Sequence, residues 1–172
     1  MKNVVILNGS TRRAGRLDQL TQAFIKGAQQ AGHQVTEIFT VDLAFSGTLW
    51  SNDQEVPNPY RTADILALPG RMGEFYRAVN AADVVALASP IYWWTVSGSL
   101  KQAIDYLQPL QQALGYQSFI KESVLLGVAG GHDYQNLIDW YHYFEHYLHW
   151  PNRGEVLGSN QVQAAQNLGT AL

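Results

Sequence analysis

Residues 89–107 read SPIYWWTVSGSLKQAIDYL. They follow the apolar run Val84-Val85-Ala86-Leu87-Ala88 and lead into a helical pattern, with Val96, Leu100, Ala103, Ile104, Leu107, Leu110 and Leu114 on one stripe. A short apolar run bounded by turn residues fits a strand buried on both faces, so the stretch is a strand–loop–helix unit. Pro90, Ile91, Tyr92, Trp93 and Trp94 then sit where the strand ends. In open α/β sheets the ligand crevice lies at the carboxyl ends of the strands. Three consecutive aromatic rings at that point suit a flat, conjugated ligand.

The same unit recurs along the chain. Val4–Leu7 is an apolar run ending at Asn8-Gly9-Ser10, and Leu17, Leu20, Phe24, Ala28 and Ala31 follow at helical spacing up to Gly32. Val35–Val41 reads as the second strand, Met72–Ala81 as a helix and Asp83 as the start of the third strand. Ser123–Ala129 is the fourth strand and breaks at Gly130-Gly131. Leu137, Trp140, Tyr141, Phe144 and Leu148 mark a helix, a fifth strand lies near Gly154–Gly158, and a last helix starts at Gln161. Asp42–Gly70 contains Pro57, Pro59 and Pro69 and reads as a long loop with one helical turn near Ala63.

Five strands alternating with helices predict an α/β fold with a five-stranded parallel sheet covered on both faces. The expected order is 2-1-3-4-5, in one domain over residues 1–172. That order brings the loops after strands 1, 3 and 4 to one crevice.

Composition excludes several function classes. The net charge of -3 gives no basic field to attract nucleic acid or an anionic membrane. There is no cysteine, which rules out disulfides, thiolate zinc sites, cysteine-held iron–sulfur clusters and a cysteine nucleophile. No apolar run approaches the roughly 18–20 residues that span a bilayer, and the run in MKNVVILNGS is too short for a secretory signal. The expected compartment is the cytoplasm.

Each of the three loops carries its own chemistry. GSTRRAGR, Gly9–Arg16, places Ser10, Thr11, Arg12, Arg13 and Arg16 at the start of a helix. Free N–H groups, hydroxyl donors and guanidinium forks make this a phosphate site, although the spacing matches neither a P-loop nor GxGxxG. The aromatic loop is the second. The third, AGGHDYQN, lets a ligand approach the backbone at Gly130 and Gly131, with His132 as a donor, Tyr134 over a ring edge and Asp133 capping the next helix. His142, Glu145 and His146 spell H-x-x-E-H on a helix. A zinc site would need a further ligand, for which only Glu155 and His149 lie nearby downstream, and no protease fold is suggested elsewhere, so they read as polar residues beside an apolar stripe, partly in a subunit contact, and no metal is expected.

These segments are similar to those of the flavodoxin-like NAD(P)H-dependent FMN reductases and their iron–sulfur flavoprotein relatives. VVILNGSTRRAGR resembles the family's opening strand and G-S-x-R phosphate loop. Ser89, Pro90, Tyr92, Leu100, Lys101, Ile104 and Asp105 fall in register with its S-P-x-Y…L-K-x-x-I-D segment, and VLLGVAGGHDY resembles its third loop. The resemblance covers nearly the whole chain. It implies bound FMN, held at its phosphate by Ser10 and Arg12. Pro90, Ile91, Tyr92 and Trp93 would border the isoalloxazine ring, with Gly130, Gly131 and His132 at its other edge. Where the family often has Asn and then Thr or Ser, Arg16 and Leu17 follow Gly15, so phosphate binding would lean on Arg16. The cluster cysteines of the iron–sulfur branch are absent.

The activity this implies is hydride transfer from NADH or NADPH through FMN to a small acceptor such as a quinone. No side chain is assigned as catalytic, because the flavin carries the chemistry. His132 and Tyr134 are candidates to stabilise charge at the reduced ring, and Ser46–Tyr60, with Trp50, is a candidate wall for the acceptor. The alternatives are a non-enzymatic electron carrier, which a charge of only -3 disfavours, and a binding module without flavin. The aromatics of the second loop and of Trp140–Trp150 favour a homodimer.

Overall fold

A computed structural model describes residues 1–45, 61–131 and 133–172. Five parallel strands, β1 (Asn3–Asn8), β2 (Gln34–Phe39), β3 (Val84–Pro90), β4 (Glu122–Val128) and β5 (Asn152–Leu157), form one sheet in the order β2-β1-β3-β4-β5. The helices are α1 (Arg16–Gln30), α2 (Thr62–Leu66), α3 (Gly70–Ala81), α4 (Gly98–Asp105), α5 (Gln108–Leu114), α6 (Gln135–Leu148) and α7 (Val162–Thr170). The predicted sheet order is the observed one.

The two-residue alternation of a strand divides the core between the two faces. Val5, Leu7, Val85, Leu87 and Leu125 point to one side and meet Phe75, Val79, Leu100, Leu110, Leu137 and Tyr141 from α3–α6. Val4, Ile6, Val84, Ala86, Val124 and Leu126 point to the other and meet Leu20, Phe24 and Ala165 from α1 and α7. On that second face the helices touch backbone to backbone. A Cβ added at Gly27 would lie 2.0 Å from the Gln166 carbonyl oxygen, and one at Gly169 would lie 2.2 Å from that of Phe24.

Four boundaries differ from expectation by more than a single residue. The stripe from Val96 to Leu114 belongs to two helices, α4 and α5, separated at Tyr106-Leu107. Pro109 has no N–H to give the Asp105 carbonyl and its ring would crowd it, yet it is accommodated in the first turn of a new helix. β2 stops at Phe39 instead of Val41. Thr40–Asp42 forms a 3-10 turn, in which the buried Thr40 hydroxyl donates to the Asn8 carbonyl at 3.3 Å. α3 begins at Gly70, two residues before Met72, and β5 begins at Asn152, before Gly154. The helical turn expected near Ala63 is α2. The rest of the expected loop, Ser46–Tyr60 with Trp50, lies outside the described residues.

Candidate functional site

The loops after β1, β3 and β4 meet at the carboxyl end of the sheet, where strand order reverses between β1 and β3. The first loop is fastened from below. The Gly9 N–H donates to the Ala88 carbonyl at 2.8 Å, and the Ser97 hydroxyl donates to the Gly9 carbonyl at 2.8 Å. A Cβ at Gly9 would sit 2.3 Å from Ser97 Oγ and 2.8 Å from Leu100 Cβ, so only glycine passes beneath α4. The Ser10 N–H donates to Asn8 Oδ1 at 2.9 Å. Ser10 Oγ accepts from the Arg12 N–H at 3.0 Å and donates to the Arg12 carbonyl at 2.9 Å. Gly15 is the extended N-cap of α1 and brings no side-chain cap, which leaves first-turn N–H groups facing outward.

The three arginines divide into two sorts. Arg13 donates to both Asp42 oxygens, at 2.6 and 2.7 Å, with its guanidinium 3.6 Å from the Phe39 ring centroid. The hydrogen bond from Arg13, with Arg71 nearby, holds the Asp42 carboxyl below its ordinary range. Arg12 and Arg16 are exposed, and among the described residues their side chains have no hydrogen-bond or ion-pair partner. Thr11 is exposed and lies off the cleft, whereas Leu17 lines it while its side chain packs in the core.

The second loop is held by two buried serines. Ser89 Oγ donates to the Pro90 carbonyl at 2.8 Å and accepts from the Ser97 N–H at 2.9 Å, while the Ile91 N–H donates to the Val128 carbonyl at 2.9 Å. Tyr92 and Thr95 exchange backbone hydrogen bonds of 3.1 and 3.2 Å across a tight turn. Its two central residues are Trp93 (φ 51°) and Trp94 (φ 64°), 87 % and 55 % exposed. Turns with two positive φ angles ordinarily use Asn-Gly. Two tryptophans there are strained, at roughly 1–2 kcal/mol each, and expose two indoles to solvent.

A cleft of about 410 Å³ joins the loops, lined by Ser10, Arg12, Gly15, Arg16 and Leu17 at one end and by Pro90, Ile91, Tyr92, Ala129 and Gly130 at the other. A second hollow of about 250 Å³ shares Ile91, Ala129 and Gly130 with it and adds Trp93, Trp94, Gly131 and Asp133. A Cβ at Gly130 or Gly131 would meet nothing within 4 Å, so both glycines border open space. Volumes of this order suit a small ligand, with charge at one end and aromatic surface at the other. A larger hollow, about 570 Å³, lies beside β2 and is lined by Arg13, Phe39, Asp42 and Arg71. Its charged groups already pair with one another, so it competes poorly for an anion.

Asp133 Oδ1 accepts from the Gln135 N–H at 3.2 Å in the turn before α6, but the N-cap of that helix is Tyr134 and not Asp133 as expected. His132 lies outside the described residues. Two of the H-x-x-E-H side chains, His142 and Glu145, tie α6 to the neighbouring strands β4 and β5, and His146 is exposed. His142 Nε2 lies 2.5 Å from Glu155 Oε1, and Glu145 accepts from Ser123 and Asn152. Among the described residues no three metal-ligating side chains converge. Sequence reasoning missed the support beneath the first loop, where Asn8 Nδ2 donates to Glu37 Oε1 at 2.7 Å. A charged residue inside a short strand was the available signal.

Comparison with known proteins agrees with this geometry. Among curated relatives, the FMN-dependent NADH:quinone oxidoreductase 2 of Pseudomonas putida is 31 % identical over 113 residues, covering 62 % of this chain and 56 % of that protein. The NADH-dependent FMN reductase SfnE of Pseudomonas putida is 24 % identical over 139 residues, covering 79 % and 63 %. The chain thus spans about three fifths of the length of the curated relatives it matches. Among solved structures, an NAD(P)H:quinone oxidoreductase from Methanothermobacter marburgensis superposes with a TM-score of 0.69 at 16 % identity, covering 98 % of both chains. The two-electron reduced flavodoxin of Megasphaera elsdenii gives 0.62 at 15 % identity, covering 98 % of this chain and 96 % of that one, so the fold is flavodoxin-like. The family model for NADPH-dependent FMN reductase matches residues 1–167, and the chain belongs to that family.

Proposed function

We propose that this chain is an FMN-dependent oxidoreductase that takes reducing equivalents from NADH or NADPH and passes them to a small acceptor such as a quinone. The observation that carries the reading is the continuous cleft. It runs from two arginines without side-chain partners among the described residues, and the open N-terminus of α1, to an aromatic turn and an unobstructed glycine loop. Those features fit FMN, which has a phosphate at one end and a flat ring at the other. The names of the relatives point the same way.

When bound, FMN would supply two-electron hydride chemistry. The chain's own work is binding and placement. Ser10, Arg12 and Arg16, with the N–H groups at Leu17, would hold the phosphate, while Thr11 lies off the cleft and takes no part. Pro90, Ile91, Tyr92 and Trp93 would border the ring and exclude water from one side, with Gly130 and Gly131 at the opposite edge; His132, also expected there, lies outside the described residues. Hydride transfer requires the donor carbon and the ring at about 3–3.5 Å, which rigid loops can enforce and an acid–base residue is not needed to assist. The protein acts as a single domain over residues 1–172 in the cytoplasm, and as a homodimer. Exposed Trp93, Trp94, Tyr143 and Tyr147 support self-association. Among the described residues no helix is long and apolar enough to cross a membrane.

The experiment is FMN titration followed by anaerobic addition of NADH or NADPH. Saturable binding and bleaching of the flavin absorbance are expected. Protein that binds no FMN, or binds it and leaves it oxidised with both donors, rejects the proposal.

A further inference from the structure

Glu37 sits inside β2, opposite Ile6 of β1. Burial raises its carboxyl above the ordinary value, and a desolvated acid is a cost to the fold unless its hydrogen bonds are used. Its Oε1 accepts from Asn8 Nδ2 at 2.7 Å, and its Oε2 accepts a longer bond from Gln22 at 3.3 Å. Asn8 is fully buried at the end of β1. Its amide has two chemically different ends, and both are committed: Nδ2 to Glu37, and Oδ1 to the Ser10 N–H at 2.9 Å.

A carboxylate can only accept. It therefore dictates which way the Asn8 amide faces. Turned over, the amide would place oxygen against oxygen at Glu37 and N–H against N–H at Ser10, leaving buried polar groups unpaired on both sides. With the amide fixed, Ser10 is fixed, and Ser10 Oγ in turn closes the turn onto both backbone groups of Arg12. A chain of hydrogen bonds thus runs from β2 to the residues at the phosphate end of the cleft.

We propose that Glu37 is a positioning residue for anion binding: through Asn8 it sets the conformation of the loop from Gly9 to Gly15 that receives the phosphate. This rests on the FMN reading above. It predicts selectivity for one part of the ligand, because the ring end of the cleft is built from the β3 and β4 loops and does not depend on Asn8.

The test is flavin binding by fluorescence quenching, with FMN and riboflavin titrated against the wild-type chain, Glu37→Leu, Glu37→Gln, Asn8→Ala and the Glu37→Leu/Asn8→Ala pair. Loss of one loop-fixing bond should weaken FMN roughly five- to twentyfold in Glu37→Leu and in Asn8→Ala, with riboflavin changed less than twofold. Glu37→Gln retains an acceptor for Asn8 Nδ2 and should hold FMN as well as the wild type does, or better. The double variant should lose no more than either single one, because both break the same chain. Equal loss of FMN and riboflavin, no loss in either single variant, or failure of Glu37→Gln to restore binding overturns the role. Should Glu37→Leu not fold, Asn8→Ala and Glu37→Gln decide by the same criteria. A wild-type chain that binds neither flavin removes the FMN reading and this role together. A wild type that prefers FMN, with unselective variants, removes this role alone.

Discussion

Arg12→Ala and Arg13→Ala should have opposite signatures, though the two residues are neighbours. Arg12 lines the cleft, and its side chain has no partner among the described residues. A hydrogen bond between charged groups contributes about 1.5–3 kcal/mol, and the exposure of Arg12 places it at the lower end. About 1.5 kcal/mol corresponds to roughly tenfold in affinity. Arg13 is already committed to Asp42 and stacked on Phe39. Arg13→Ala should leave FMN affinity within twofold and cost some thermal stability instead. The assay is fluorescence titration of each variant with FMN and riboflavin at two salt concentrations. Arg12→Ala should weaken FMN about tenfold, spare riboflavin and reduce the salt dependence of FMN binding. Equal losses for both flavins in Arg12→Ala, or a phosphate-selective loss in Arg13→Ala, would refute the division of the arginines.

Other outcomes follow from the same geometry. Replacing Trp93-Trp94 by Asn-Gly removes two left-handed tryptophans and should raise stability by about 2–4 kcal/mol while weakening both flavins; a thermal melt showing destabilisation would contradict the strain. Gly27→Ala drives a Cβ into the Gln166 carbonyl on α7. At about 3 kcal/mol for unrelieved overpacking it should lower Tm by roughly 6–12 °C, so an unchanged Tm would mean that α1 and α7 are not in backbone contact. Glu37 has a raised pKa when folded, chiefly by burial and with Asp18 adding, while Asn8, Gln22 and Arg13 oppose it. The folded state then holds this proton more tightly than the unfolded state. Its contribution is full below the ordinary value of 4.5 and is lost as pH rises through the raised value. Denaturant melts across that window should show a flatter profile in Glu37→Gln than in the wild type; superimposable profiles would deny the shift.

The sheet was legible because β1, β3 and β4 are continuous apolar runs, and a strand buried on both faces can hardly be anything else in a chain that alternates with amphipathic helices. Its order followed from chain connectivity. The break between α4 and α5 was hidden because the apolar stripe continues through Leu107, Leu110 and Leu114, and a proline near a helix start leaves the period intact. The three loops were placed correctly by their position after strands. Which arginine is already paired was not legible, because the partner of Arg13 is Asp42, 29 residues away. The Trp93-Trp94 turn was also hidden, since turn chemistry is normally announced by Gly, Asn or Asp. The Glu37–Asn8 bond is a tertiary contact between adjacent strands, and only the sheet register reveals it.

Anaerobic visible spectroscopy of the FMN-loaded protein before and after NADH or NADPH tests the central claim most directly. Stoichiometric FMN should be bound and at least one nicotinamide should bleach it, with colour returning on addition of a quinone. Protein that stays colourless after incubation with FMN, or a bound flavin that neither donor reduces, would contradict it.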